Sequence, residues 1–166
     1  MVIEYGDRKI KFCNNILQVM QKYVQSERKS CEAGGILIGR ENCGNSNLII
    51  EFITEPMAAD QRSRSRFLRK DKRHLDFFKK LYEENEGVYG YMGEWHTHPE
   101  NIPQYSFIDS NNWKKIGKEM KGGIQYHIIA GIQEVGIWEY NAVQKRITKI
   151  CSVDWKGILK ENETII

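Results

Sequence analysis

Two segments, EAGGILIGRE and NLIIEFITEPM, set the terms for the rest of the chain. Both are apolar and rich in β-branched residues, and the NCGNSN between them is turn chemistry, so they are expected as neighbouring strands, with Pro56 ending the second. The other segments must then extend or cover a sheet. Upstream, VIEYGDRKIKF alternates as a hairpin or a pair of short strands turning at Gly6-Asp7. From a cap at Asn14 or Asn15, ILQVMQKYVQSE places Ile16, Val19, Met20 and Tyr23 at helical spacing, and this helix is expected to end between Ser26 and Lys29. FLRKDKRHLDFFKKLYEEN brings Phe67, Leu75, Phe78 and Leu81 roughly into helical register, stopped by Gly87, with His74 as a partly exposed surface histidine. VYGYMGEWHTH reads as an aromatic-rich strand, Ser106 to Met120 as a helix, and IQYHIIAGIQ, EVGIWEYNA and KRITKICSV as three successive strands, among which His127 is expected as a satisfied core histidine. The order β-α-β-β-α-β-α-β-β-β specifies the α/β (α+β) class, with helices packed on a sheet.

Size bounds the organisation. A chain of 166 residues fits one domain spanning 1–166, with 154–166 a weakly determined tail. No apolar run approaches the ~20 residues of a membrane span, and the N-terminus lacks the apolar core of a signal peptide. Cys13, Cys31, Cys43 and Cys151 show no C-x-x-C spacing, which fits a reducing, cytoplasmic setting and thiols that are mostly buried. The net charge of +3 does not by itself imply nucleic acid, which is not expected as a partner. The charge is unevenly placed, however. Arg62, Arg64, Arg66, Arg69, Lys70, Lys72 and Arg73 crowd one stretch with only Asp71 opposing them, either as a solvated loop and first helical turn or as a positive wall that steers an acidic partner.

The chemistry concentrates in GEWHTHPENIPQYSFIDSNNW, from Gly93 to Trp113. Side chains alternate along a strand, so His96 and His98 share a face, about 7 Å apart at the backbone, and can converge on one ion. Pro99 and Pro103 break the strand, and the helix that follows carries Asp109 in its first turn. Two nitrogens and a carboxylate oxygen make a three-ligand site with an open fourth position, the pattern of catalytic rather than structural zinc. Ser106 and Asp109 equally make S-x-x-D, a capping box that only starts a helix, and a helix start could serve both purposes. Glu94 lies on the same strand face as the two histidines, so geometry alone nominates it as a general base. Trp95, Trp113 and Trp138 read as core or groove wall.

The complete pattern resembles the signature of the JAMM (MPN+) metalloprotease family: an upstream Glu, then H-[ST]-H-P, six residues, and S-x-x-D, filled here from Glu32 through Asp109. The similarity extends over roughly Tyr5 to Val153. It implies a single mixed, partly curled β-sheet flanked by helices, JAMM/cytidine-deaminase-like. It also implies Zn2+ held by His96, His98 and Asp109, with Glu32 as general base and Ser106 helping to hold the tetrahedral oxyanion. In such enzymes Glu32 takes precedence over Glu94, and the Gly34-Gly35 that follows it allows close backbone approach. Family members cut after the C-terminal tail of a ubiquitin-like protein. The short form with GEWHTHP is similar to bacterial stand-alone peptidases, some encoded in anti-phage CBASS operons, where the conjugated partner is the C-terminal tail of a CD-NTase joined to a target protein. Other relatives trim sulfur carriers or other ubiquitin-like proteins, and non-catalytic MPN scaffolds normally lose one or more ligands.

Overall fold

The computed structural model describes residues 1–121 and 123–158. In chain order the elements are β1 (Val2–Tyr5), β2 (Arg8–Phe12), α1 (Asn14–Lys22), β3 (Gly34–Glu41), β4 (Leu48–Ile53), β5 (Gln61–Ser63), β6 (Arg66–Leu68), α2 (Arg73–Glu84), β7 (Gly90–Thr97), α3 (Phe107–Glu119), β8 (Ile124–Ala130), β9 (Glu134–Asn141) and β10 (Arg146–Asp154). Among the described residues eight strands form one curled sheet in the order β1-β2-β4-β3-β7-β8-β9-β10, while β5 and β6 pair only with each other. The sheet is mixed: β2 runs parallel to β4 and β7 parallel to β8, and the remaining neighbours are antiparallel. Among the described residues no helix is long and apolar enough to cross a membrane.

The two central segments fold as expected. β3 is buried from Gly34 to Gly39, and a sheet covered on both faces needs such a continuous apolar run. On one face α1 packs Ile16, Leu17 and Met20 against Phe12, Leu37, Ile50 and Ile128. On the other, Trp113 of α3 meets Ile129, Trp138 and Tyr140. The three tryptophans read as core or wall, Trp95, Trp113 and Trp138, are all buried. Trp155 joins them: its indole N–H donates to the Gly131 carbonyl at 2.9 Å, so this part of the expected tail is packed on the fold, and residues 159–166 lie outside the described residues.

Glycines permit two close approaches that fix the strand ends near the site. A Cβ on Gly35 would collide with the Thr54 carbonyl, and one on Gly34 would sit 2.6 Å from both the Phe67 ring and the Trp95 carbonyl. Gly93, at φ +145°, sits at the irregularity where β3 and β7 slip register between Leu37 and Ile38. Such a slip resets which residues of β7 face which side.

Several local expectations give way to tertiary contacts. α1 begins after Cys13, which makes no side-chain cap, and it ends at Lys22, short of the expected Ser26 to Lys29. The chain leaves the helix so that Gln25 can be buried, where its amide donates to the carbonyls of Ser30 (3.1 Å) and Arg64 (2.8 Å). Phe67 belongs to the β5–β6 hairpin and not to a helix, because its ring seats on Gly34. His74 is fully buried rather than partly exposed. Its Nδ1 meets Thr54 Oγ1 at 2.5 Å and its Nε2 meets Asp60 Oδ2 at 2.8 Å. The four cysteines are free thiols, but Cys43 is exposed and the other three only half-buried, which corrects the reading of them as mostly buried.

Candidate metal centre

β7 ends at Thr97, and the backbone N–H of His98 continues the pairing with a bond to the Ala130 carbonyl at 3.1 Å. That continuation keeps both histidines in strand phase, with rings 4.7 Å apart between centroids. Their Nε2 atoms are 3.0 Å apart. Asp109, one turn into α3, places Oδ1 at 3.2 Å from His96 Nε2 and Oδ2 at 3.5 Å from His98 Nε2. Ligand atoms bound about 2.0–2.1 Å from a tetrahedral ion stand roughly 3.3 Å from one another. The three separations bracket that value, so the donor set fits one small cation. His96, His98 and Asp109 are the residues brought together as a possible ion-binding group among the described residues.

Their electrostatics suit the same purpose. Burial disfavours charge on Asp109, but His96 and the Ser106 amide outweigh it and hold the carboxyl well below the usual carboxylate range. Burial also opposes protonation of His96, yet Asp109 and then Glu32 and Glu94 raise its pKa above the ordinary value. Burial, with His96 alongside, lowers that of His98. An anionic carboxylate beside an imidazole that resists protonation is a set ready to accept a cation.

Glu32 precedes β3 and is buried, its backbone N–H bonded to the Ser63 carbonyl at 2.7 Å. Burial raises its pKa to about 7, with His96 pulling the other way. Ser106 caps α3 in a complete capping box: its Oγ accepts from the Asp109 N–H at 3.2 Å and its own N–H donates to Asp109 Oδ2 at 2.6 Å. The same Asp109 carboxylate thus completes the helix cap and faces both imidazoles. Because Oγ is used as an acceptor, its hydroxyl hydrogen remains to donate elsewhere. Glu32, His96, His98, Ser106 and Asp109 all line one concavity of about 320 Å³.

Comparison with known proteins decides the family. Residues 17–143 match the model of prokaryotic homologs of the JAB domain. The chain belongs to this JAB-domain family. An Escherichia coli protein named CD-NTase/cGAS isopeptidase is 36% identical over 111 residues, covering 67% of this chain and 70% of that one. Proteins of the same name from Pseudomonas aeruginosa and Vibrio cholerae are 31% and 30% identical, covering 68% and 66% of this chain and 70% and 69% of theirs. In fold, the solution structure of protein DSY2949 from Desulfitobacterium hafniense superposes with a TM-score of 0.55 at 17% identity, covering 84% of this chain and 88% of that one.

The rest of this JAB domain's site is scaffolding that sequence reasoning saw only in part. Thr97, the residue between the two histidines, is fully buried: its Oγ1 accepts the Ala33 N–H and donates to Gln25 Oε1, each at 3.0 Å. It thereby straps the end of β7 to the residue after Glu32, and the H-[ST]-H spacing was the available signal. Glu94, the rival base, is gripped by Arg69 through Nε and Nη2, both at 2.9 Å from Oε1, and by the Tyr91 hydroxyl at 3.1 Å. Three donors thus already engage its Oε1. His127 is buried against Trp113, their rings stacked 4.3 Å apart, and burial lowers its pKa well below the ordinary value. It is a core histidine, but only half satisfied: Nε2 lies 3.2 Å from Gln125 Oε1 and Nδ1 has no partner among the described residues.

The basic stretch is mostly exposed and its end forms the first turn of α2, as expected of a solvated segment, but its first part is the β5–β6 hairpin and not a loop. Arg62 donates to the carbonyls of Glu32 and Cys31, and Arg64 to those of Glu27 and Arg28. These arginines tie the β5–β6 hairpin to the segment leading into Glu32. No local pattern announces such bonds, because their acceptors are backbone atoms 30 to 37 residues away.

Proposed function

We propose that this JAB domain is a zinc-dependent isopeptidase of the cytoplasm that releases the C-terminal tail of a CD-NTase, or of a similarly conjugated ubiquitin-like protein, from a target, reversing conjugation in bacterial anti-phage defence. The observation that carries this reading is the convergence of His96, His98 and Asp109 beside a buried, protonatable Glu32 in one concavity. The names of the three relatives support the substrate class.

His96, His98 and Asp109 would hold the zinc, which, when bound, supplies Lewis acidity that makes water nucleophilic at neutral pH and polarises a carbonyl. Glu32 takes the proton of the attacking water on its carboxylate and returns it to the departing amine, a task suited to a group whose pKa lies near the working pH. The Ser106 hydroxyl donates to the developing oxyanion, while its Oγ lone pair stays on the helix cap. Among the described residues β6 pairs only with β5, so its other edge carries no strand and can accept an extended tail as one. A partner-binding scaffold would have no use for a buried acid beside three convergent donors.

The test is cleavage of a CD-NTase joined through its C-terminal carboxyl to a lysine, with zinc content measured on the same samples. Glu32→Gln should keep the metal and lose about 10²–10⁴-fold in turnover, whereas Glu94→Gln should retain most of it. An active Glu32→Gln protein beside an inactive Glu94→Gln protein would overturn the assignment of the base, and a metal-free active protein would overturn the zinc.

A further inference from the structure

The concavity that holds the donor set continues as a groove between β6 and α3, and its walls carry information about what lies in it. Of the cations between Arg62 and Arg73, Arg62 and Arg64 bind backbone carbonyls, Arg69 grips Glu94, and Arg73 pairs with Asp71. Arg66, Lys70 and Lys72 make no side-chain hydrogen bond or ion pair among the described residues. Arg66 and Lys70 line the groove, and Lys72 does not.

Their placement follows from the hairpin. The Phe67 ring is turned down onto Gly34, so Arg66 and Leu68 project from the opposite face of β6. Lys70 lies two residues beyond the end of β6 and lines the same groove. A strand added to the free edge of β6 would also alternate, and its outward side chains would lie directly beside these positions. Across the groove the wall offers Ile108 and Ile116, and the Lys115 ammonium leans toward Glu119 at 3.9 Å. The β6 side thus presents a cation, an apolar residue and a second cation, and the α3 side an apolar patch beside the Lys115–Glu119 pair.

We propose that the groove selects an extended tail whose outward side chains read acidic, apolar, acidic at alternate positions, with Arg66 and Lys70 as specificity-determining residues and Leu68 between them. The inference rests on the peptidase reading above and names the tail chemistry that this site takes. Arg66 and Lys70 act through opposite-charge cross-strand pairs at a solvent-facing edge, so the selection weakens as salt rises.

The experiment compares fluorescein-labelled peptides carrying Glu-Ser-Leu-Ser-Glu or Lys-Ser-Leu-Ser-Lys, binding to zinc-supplemented Glu32→Gln protein by fluorescence anisotropy. The acidic peptide should bind about tenfold more tightly at low salt. Arg66→Glu with Lys70→Glu in the same background should reverse the order, and Arg66→Gln with Lys70→Gln should erase it. Equal binding, no measurable binding of either peptide, or a preference unchanged by both double substitutions overturns the proposal. Turnover of the same peptides as fluorogenic amides by the native protein reports separately on the peptidase reading. A preference that survives in anisotropy without cleavage upholds the selection and removes the peptidase.

Discussion

Two clusters in this molecule have nearly the same ingredients and opposite characters. His74 with Thr54 and Asp60, and His96 with His98 and Asp109, each gather imidazole and carboxylate within hydrogen-bonding range. In the first, each ring nitrogen has its own partner, and Asp60 also accepts the N–H groups of Met57, Lys70 and Asp71. Donors and acceptors match pair by pair and nothing is left over. In the second, three lone-pair donors aim at one shared point at the mouth of a groove. Composition cannot separate the two; convergence on a common point, as opposed to pairwise matching, can.

The sharpest way to break that contrast is to delete one histidine from each. His98→Ala should lose bound zinc and all measurable turnover, while its urea unfolding midpoint, compared with the native protein with both metal-free, barely moves. His74→Ala should keep full zinc occupancy and lose about 2–4 kcal/mol of stability, since it strands a buried hydroxyl and a buried carboxylate. Equal loss of stability in both would abolish the distinction.

Glu32 should show the opposite sign. Its folded pKa of about 7 lies above the ordinary value of 4.5, so the folded protein binds more protons than the unfolded chain between those values. Its ionisation therefore erodes stability as pH rises from about 4.5 to 7, and the erosion is complete above that range. In metal-free protein Glu32→Gln should be stabilised by about 3 kcal/mol at pH 8 and unchanged at pH 4, by chemical denaturation. A destabilised variant at pH 8 would mean that the carboxylate is matched like Asp60.

Asp60 supplies a smaller effect. Burial opposes its charge, but the amides of Asp71 and Met57, then His74 and the Lys70 amide, outweigh that and lower its pKa. The unfolded chain then binds the extra proton, so this contribution is complete above about pH 4 and fades as pH falls through the lowered value. Asp60→Asn should flatten the acid limb of the stability profile, whereas Asp109→Asn in metal-free protein changes the helix cap as well. Smallest of all, Asp109→Ala should be about 1 kcal/mol less stable than Asp109→Asn, because asparagine can still accept the Ser106 N–H.

The donor set was legible because its parts are close in sequence: strand alternation pairs the histidines, and the capping pattern places Asp109 one turn into the next helix. The central strands and α3 were legible for the same local reasons. The β5–β6 hairpin was not. Its strands are three residues each, too short for alternation to register, and what decides their state is Phe67 against Gly34 and arginines on distant carbonyls. His74 was misplaced because its partners stand 14 and 20 residues upstream, while its immediate neighbours on α2, Arg73 and Leu75, are exposed.

Asp109 answers to two masters, one oxygen turned toward His96 and the other fastening the first turn of α3. A descendant released from catalysis could shed either imidazole with little structural penalty, yet dropping the aspartate would unfasten a helix. In decaying copies of such a domain, that residue should outlast the histidines, a fossil held in place by architecture after the chemistry has gone.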